Sequence, residues 1–253
     1  MRFRFIRPLH GWREFIHEIV IVVIGVMLAL AGAEVIENWR WQQQVGSARQ
    51  SIADELAVNS SQAAMRIALE DCLRDRIGGL ATRLNASDGH WTADPIPTGG
   101  RTQPTPHWDN RSMGRVYAVP LVGWSQDAWD TAKSAGVLDH MSHDEVAAYS
   151  DVYGEIAGIR DFQNQEYLLE SSLSFLSANQ QLDGGSRTNA LGKLGQLDAL
   201  NAANSGLSSL ILEQMRGLHL PVDGARNSAR LKKTILEARE RHGPCVKDVQ
   251  VQF

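Results

Sequence analysis

An uncharged apolar run near the N-terminus constrains this chain more than any other feature. Ile19 to Ala33 reads IVIVVIGVMLALAGA, 15 residues without a charge. At 1.5 Å per residue a helix of that length reaches roughly 22 Å, short of a hydrocarbon core of about 30 Å. Phe15 and Ile16 before the run, and Val35 and Ile36 after it, lengthen the span to 15–36. Polar His17, Glu18 and Glu34 then fall near its ends, where their side chains reach headgroups. Trp12 and Arg13 on one side, and Trp39 and Trp41 on the other, stand where membrane-interface anchors belong. The expectation is a transmembrane helix over 15–36, preceded by a basic head over 1–14.

Charge orients that helix. Arg2, Arg4, Arg7 and Arg13 precede the span, whereas the first cations after it, Arg40 and Arg49, follow Glu34 and Glu37. Positive charge is retained on the cytoplasmic side, so residue 1 is expected in the cytoplasm and the body across the membrane. In a bacterium this means the inner membrane, with a periplasmic C-terminal body. A cleaved signal peptide is the rival reading, because Ala29-Leu30-Ala31 and Ala31-Gly32-Ala33 both fit a small-x-small cleavage site. The long polar stretch before the apolar run favours a retained anchor.

Gly25, Ala29 and Ala33 recur every four residues on one helical face, with Gly32 beside them and Glu18 two turns earlier. Small residues let helices approach closely in lipid. This face therefore predicts a helix partner, either another integral-membrane protein or a second copy of the chain. Common membrane-helix composition explains the same residues without a partner.

Beyond the membrane the sequence reads as all-α. Ile52, Leu56, Ala63, Ile67, Cys72, Ile77, Leu80 and Leu84 keep helical spacing with no proline, so 37–86 is expected to continue the anchor as a long stalk. Gly46-Ser47 and Gly78-Gly79 are its weak points. Residues 87–123 hold Pro95, Pro97, Pro104, Pro106 and Pro120, and predict an irregular strap. Trp91 and Trp108 argue that the strap is partly packed, and Val116–Val119 reads as a short strand.

Residues 124–253 are expected to form a helical bundle packed on 37–86. Ser125 suits an N-cap, and Gly136 suits the left-handed residue that ends a helix. Ser142-His143-Asp144-Glu145 fits a capping box opening a helix that ends near Gly184-Gly185. Its apolar side is Val146, Tyr149, Val152, Tyr153, Ile156, Ile159, Tyr167, Leu168 and Leu173. A further helix spans about 187–216, and Asp223 is placed to cap a last one reaching His242 before Gly243-Pro244. Long helices with brief links favour antiparallel neighbours.

Little here predicts chemistry. The first 33 residues carry a net +2 within a total of −4, which leaves an acidic body and argues against nucleic acid as a partner. His140 and His143 lack the H-E-x-x-H arrangement, and Ser142 to Glu145 already read as a helix start. No G-x-S-x-G elbow and no phosphate-binding G-x-x-x-x-G-K-[ST] loop occurs, so neither an enzyme nor a cofactor is expected. Trp124, Trp129, Tyr149 and Tyr153 either line a pocket between helices or fill the core. Cys72 and Cys245 are the only cysteines. With the body expected outside the cytoplasm, an oxidising compartment is expected to pair them and close a loop of about 170 residues; two buried free thiols are the alternative.

Phe15, Glu18, Val22, Gly25, Val26, Ala29 and Leu30, the Trp39-x-Trp41 pair, and Trp124, Trp129, Ala132, Gly136 and Leu138 together show a resemblance. In this pattern the chain resembles a family of N-terminally anchored, single-pass bacterial membrane proteins with a periplasmic helical domain. The likeness covers the anchor and residues 124–153. It implies a location and a fold, and brings no activity or site residues. The functional expectation is a non-enzymatic scaffold or accessory subunit in contact with membrane lipid. A periplasmic sensory bundle signalling through a partner is the alternative, and a hydrolase is third.

Overall fold

The computed structural model describes residues 11–93, 123–218, 220, 224–249 and 251. The fold is all-α, organised on one helix, α1, that runs unbroken from Trp12 to Ala86 over 75 residues. At 1.5 Å per residue it is about 110 Å long. Gly46, Gly78 and Gly79 do not interrupt it, and a Cβ at any of the three would meet nothing within 4 Å. A first short strand, β1 (His90–Trp91), follows. The later helices are α2 (Asp127–Ser134), α3 (His143–Ser172), α4 (Gly184–Gly217) and α5 (Gly224–His242).

α1 changes character along its length. Every side chain described from Phe15 to Arg40 is exposed. From Ile52 to Leu73 the helix is enclosed on nearly all sides, with Ile52, Ala53, Leu56, Ala63, Ala64, Ala68 and Leu69 at 2% exposure or less. The alanines and serines of this stretch admit neighbours from several directions, so α1 is the central mast of the bundle.

The helix order departs from a purely antiparallel bundle. Arg49 pairs with Glu145, Glu55 with Tyr153 and Arg66 with Glu166, so α3 runs parallel to α1. α4 returns antiparallel to both: Arg187 Nη1 donates to the Ser87 carbonyl at 2.9 Å, and Asn201 Nδ2 to the Glu70 carbonyl at 3.1 Å. Parallel neighbours need a long crossover. The chain leaves the far end of α1 at Ala86, passes through β1, and is back beside the middle of α1 at Ser125, whose N–H donates to Asn59 Oδ1. That return covers about 40 Å of helix length. Residues 94–122 of the proline-rich segment, Trp108 and Val116–Val119 included, lie outside the described residues.

Local signals were met with two corrections. Gly136 adopts φ +69°, and Ser142 Oγ accepts from the Glu145 N–H at 3.3 Å, as a helix end and a cap require. The Glu145 carboxylate, however, is bound by Arg49 in a two-pronged pair at 2.7 Å instead of closing the capping box. α3 stops at Ser172, twelve residues before Gly184. A 3-10 turn over Ser174–Ser177 and a strand β2 (Gln180–Gln181) intervene, and β2 pairs antiparallel with β1. Trp91 accounts for this: its ring is buried and its Nε1 donates to the Leu176 carbonyl at 2.6 Å, which fixes the turn beneath it. α4 is capped by Asp183, which accepts from the Ser186 N–H at 2.6 Å. Asp223 lies outside the described residues.

Candidate functional site

Four places concentrate residues with a role beyond simple core packing. The first is the N-terminal third of α1. Glu18, Gly25, Ala29, Gly32 and Ala33 are all exposed, and a Cβ at Gly25 or Gly32 would meet nothing within 4 Å. No part of the described body covers the apolar side chains from Phe15 to Ile36. This is a stretch long and apolar enough to cross a membrane. Trp12 is exposed, with its ring 5.9 Å from Phe15. The Arg13 side chain lies outside the described residues. The two tryptophans after the span differ: Trp39 is exposed, whereas Trp41 is half-buried and stacks on His140 at 3.9 Å. Trp41 thus belongs to the body's contact with α1.

The second place is where α1 holds the start of α2. Glu55 accepts from Tyr153 OH at 2.6 Å, from Ser125 Oγ at 2.5 Å and from the Ala128 N–H at 3.0 Å. A carboxylate on α1 therefore caps α2, using the free N–H groups and positive end of that helix. Asn59 adds a two-way pair with the Ser125 backbone, at 2.8 and 3.1 Å. Burial and the Glu55 carboxylate push the Tyr153 phenol far above its usual range, which makes it a fixed donor. Trp129 stacks on Tyr153 at 5.2 Å and meets Tyr149 edge-on at 6.3 Å. Trp124 is buried and turns its Nε1 to Gln163 Oε1 at 3.3 Å. Trp129, Tyr149 and Tyr153 pack on one another, and Tyr153 holds Glu55.

The third place is a polar layer inside the bundle. Arg66 and Glu166 form an ion pair, 3% and 0% exposed, and Arg66 also donates to Asn201 Oδ1 at 3.1 Å. Asn204, Ser205 and Ser208 continue the layer along α4, with Ser205 Oγ donating to Glu70 Oε2 at 3.0 Å. Burial raises the Glu166 carboxyl above its ordinary range, and the lowering by Arg66 and Asn204 does not fully offset it. Arg66 Nε and Ser208 Oγ are buried without a hydrogen-bond partner. This layer was not anticipated. Expected stripe residues Tyr167 and Leu168 are instead exposed while Glu166 turns inward. The signal was present in α4, where Asn201, Asn204, Ser205 and Ser208 recur at helical spacing between Leu197 and Ile211.

The fourth place is the disulfide. Cys72 and Cys245 are bonded, with Cα atoms 5.1 Å apart and a sequence separation of 173. Around it the tail is laid on α1: the Lys247 N–H donates to the Ala68 carbonyl at 3.0 Å, Lys247 Nζ pairs with Asp71 at 2.8 Å, and Val246 is buried. α5 packs on the same helix through Leu231, Ile235 and Ala238.

His140 is engaged with a ring and Ser142 with a cap, and among the described residues no group of three His, Cys, Asp or Glu side chains is placed to hold a metal. An open depression of about 110 Å³ lined by Leu231, Ile235, Leu236 and Arg239 is smaller than the several hundred Å³ of a ligand pocket. No family model matches the chain, and no curated protein or solved structure matches it.

Proposed function

We propose that this protein is a non-enzymatic, membrane-anchored scaffold or accessory subunit of a membrane protein complex. The observation that carries this reading is the exposed apolar stretch from Phe15 to Ile36 on a helix that continues, unbroken, as the mast of a folded body. Water would oppose such a surface, while lipid and partner helices would cover it. The body lies on the side of the span away from the basic head, which corresponds to the periplasm of a bacterial inner membrane. The Cys72–Cys245 bond supports an oxidising compartment. A sensory bundle draws less support, because Trp129 packs on Tyr149 and Tyr153 and leaves no gap between these rings for a ligand.

The test is affinity purification of the full chain from membranes in a mild detergent. An integral-membrane partner, or a second copy, is expected to co-purify, and Gly25→Leu is expected to weaken that association. A chain that elutes alone as a monomer, with Gly25→Leu making no difference, overturns the proposal.

A further inference from the structure

The polar layer where α1, α3 and α4 meet holds more hydrogen-bonding capacity than its side chains use. Arg66 gives its Nη2 to Glu166 Oε1 and, at 3.1 Å, to Asn201 Oδ1, while Asn201 Nδ2 reaches the Glu70 carbonyl. Five buried atoms of the layer find no partner among the described residues: Arg66 Nε, Glu166 Oε2, Asn204 Nδ2 and Oδ1, and Ser208 Oγ. The side chains that carry them are at most 3% exposed.

These atoms belong to one place. Asn201, Asn204 and Ser208 follow one another at steps of three and four on one face of α4. Arg66 bonds both Asn201 and Glu166, and Asn204 lies near enough to Glu166 to favour its charged form. Neighbouring buried polar side chains are committed elsewhere: Asn59 to Ser125, Ser60 and Ser61 to the Ala57 carbonyl, and Ser205 to Glu70. Ser209 bonds back to the Ser205 carbonyl at 3.0 Å, a bond that Ser208 does not make to its own preceding turn.

Unpaired polar atoms are costly in an interior, and native proteins match them with protein groups or with ordered water. The chemistry of the five atoms selects the ligand. Arg66 Nε and Asn204 Nδ2 donate, Glu166 Oε2 and Asn204 Oδ1 accept, and Ser208 Oγ does both. A cation would meet the Arg66 guanidinium and an anion the Glu166 carboxylate, two charges that already neutralise each other. An apolar molecule would satisfy none of the five. Water supplies two donors and two acceptors, and one molecule bridges groups about 5–6 Å apart. That reach matches the rise of about 6 Å between Asn204 and Ser208.

We infer that this layer is an internal hydration site, with at least one ordered water bound among Arg66, Glu166, Asn204 and Ser208 and bridging α1, α3 and α4. The water accepts from Arg66 Nε–H and donates to Glu166 Oε2, and Asn204 and Ser208 complete its shell. The ion pair is thereby solvated from within the bundle. The inference holds whether or not residues 15–36 span a membrane.

The test uses the deuterated full chain in detergent micelles, with its asparagine side-chain amides assigned. Cross-relaxation between the Asn204 amide protons and water is expected, with the sign of a long-lived contact. No such peak in the native chain overturns the site. Ser208→Ala separates water from a hydroxyl proton that exchanges with it. A peak that persists in this variant supports bound water. A peak that is lost while the oxygen-17 relaxation dispersion of water falls by the contribution of a single molecule also supports it, with Ser208 as one of the partners. A peak that is lost with the dispersion unchanged is relayed by the hydroxyl alone, and overturns the site.

Discussion

The two ends of α1 are one helix and two different solutions to burying surface. From Phe15 to Ile36 its side chains are mostly apolar, many of them large and branched, and all are exposed. From Ile52 to Leu73 alanines, serines and charged or amide side chains stand between the larger apolar ones, and the helix is largely enclosed. The apolar content is higher where the burial is nil. Lipid accepts any apolar side chain without shape matching, whereas a protein neighbour demands close approach and paired polar groups. The difference teaches that hydrophobicity marks the solvent a helix expects, while small and polar residues mark where other helices touch it.

That contrast can be broken first at the polar layer. Arg66→Met alone, or Glu166→Leu alone, leaves a buried charge unpaired and is expected to destabilise the body by about 3–5 kcal/mol, while the double variant is near neutral or more stable. Chemical unfolding of the full chain in detergent, followed by circular dichroism, checks this; equal losses in all three variants would show that the pair itself is favourable. Because burial raises the Glu166 pKa, this carboxyl binds its proton more tightly folded than unfolded. Its contribution is therefore fullest below the ordinary carboxylate range and is lost as pH rises through its elevated folded pKa. Comparing stability against pH for the native chain and Glu166→Gln isolates that slope.

The disulfide comes next. Cys72→Ala with Cys245→Ala should lower stability by about 2–4 kcal/mol, read as a fall in Tm, because the bond closes a loop of 173 residues. Tyr153→Phe removes one of three donors to Glu55 and is expected to cost about 1–2 kcal/mol. Arg49→Ala, at a half-exposed pair between α1 and the start of α3, should change stability by less than about 1 kcal/mol and by less still in high salt. Asp183→Ala should fray the first turn of α4, seen as faster amide exchange at Ser186. The native chain should lose the same protection as pH falls through the depressed Asp183 pKa, since that cap is present only while the carboxylate is ionised. The smallest effect belongs to Gly25→Leu, which should leave body stability unchanged because nothing in the body meets that position.

Much of the fold was legible in the chain because its signals are local. Helical spacing, the Ser142 cap and the left-handed Gly136 depend on residues within one or two turns. Helix direction and partnership were not legible in that way. Whether α3 runs up or down beside α1 depends on where a long connection returns, and composition carries no information about that. The Glu55 and Arg66 sites escaped for a related reason: each joins residues about 70 to 135 apart in sequence, and a single glutamate on a helix looks like any solvated charge.

The sequence by itself therefore determined the apolar span, its basic flank, the all-α class and the existence of one pair of cysteines. These follow from side-chain type and short-range periodicity. The sequence also anticipated that the span continues into the mast, which is one unbroken helix. Only the tertiary structure decided that Trp41 belongs to the body and Trp39 does not, and that Glu166 is buried while Leu168 is exposed. The physical reason is that burial is a property of neighbours. A residue's own chemistry sets what its burial would cost, and the elements packed against it decide whether that burial happens.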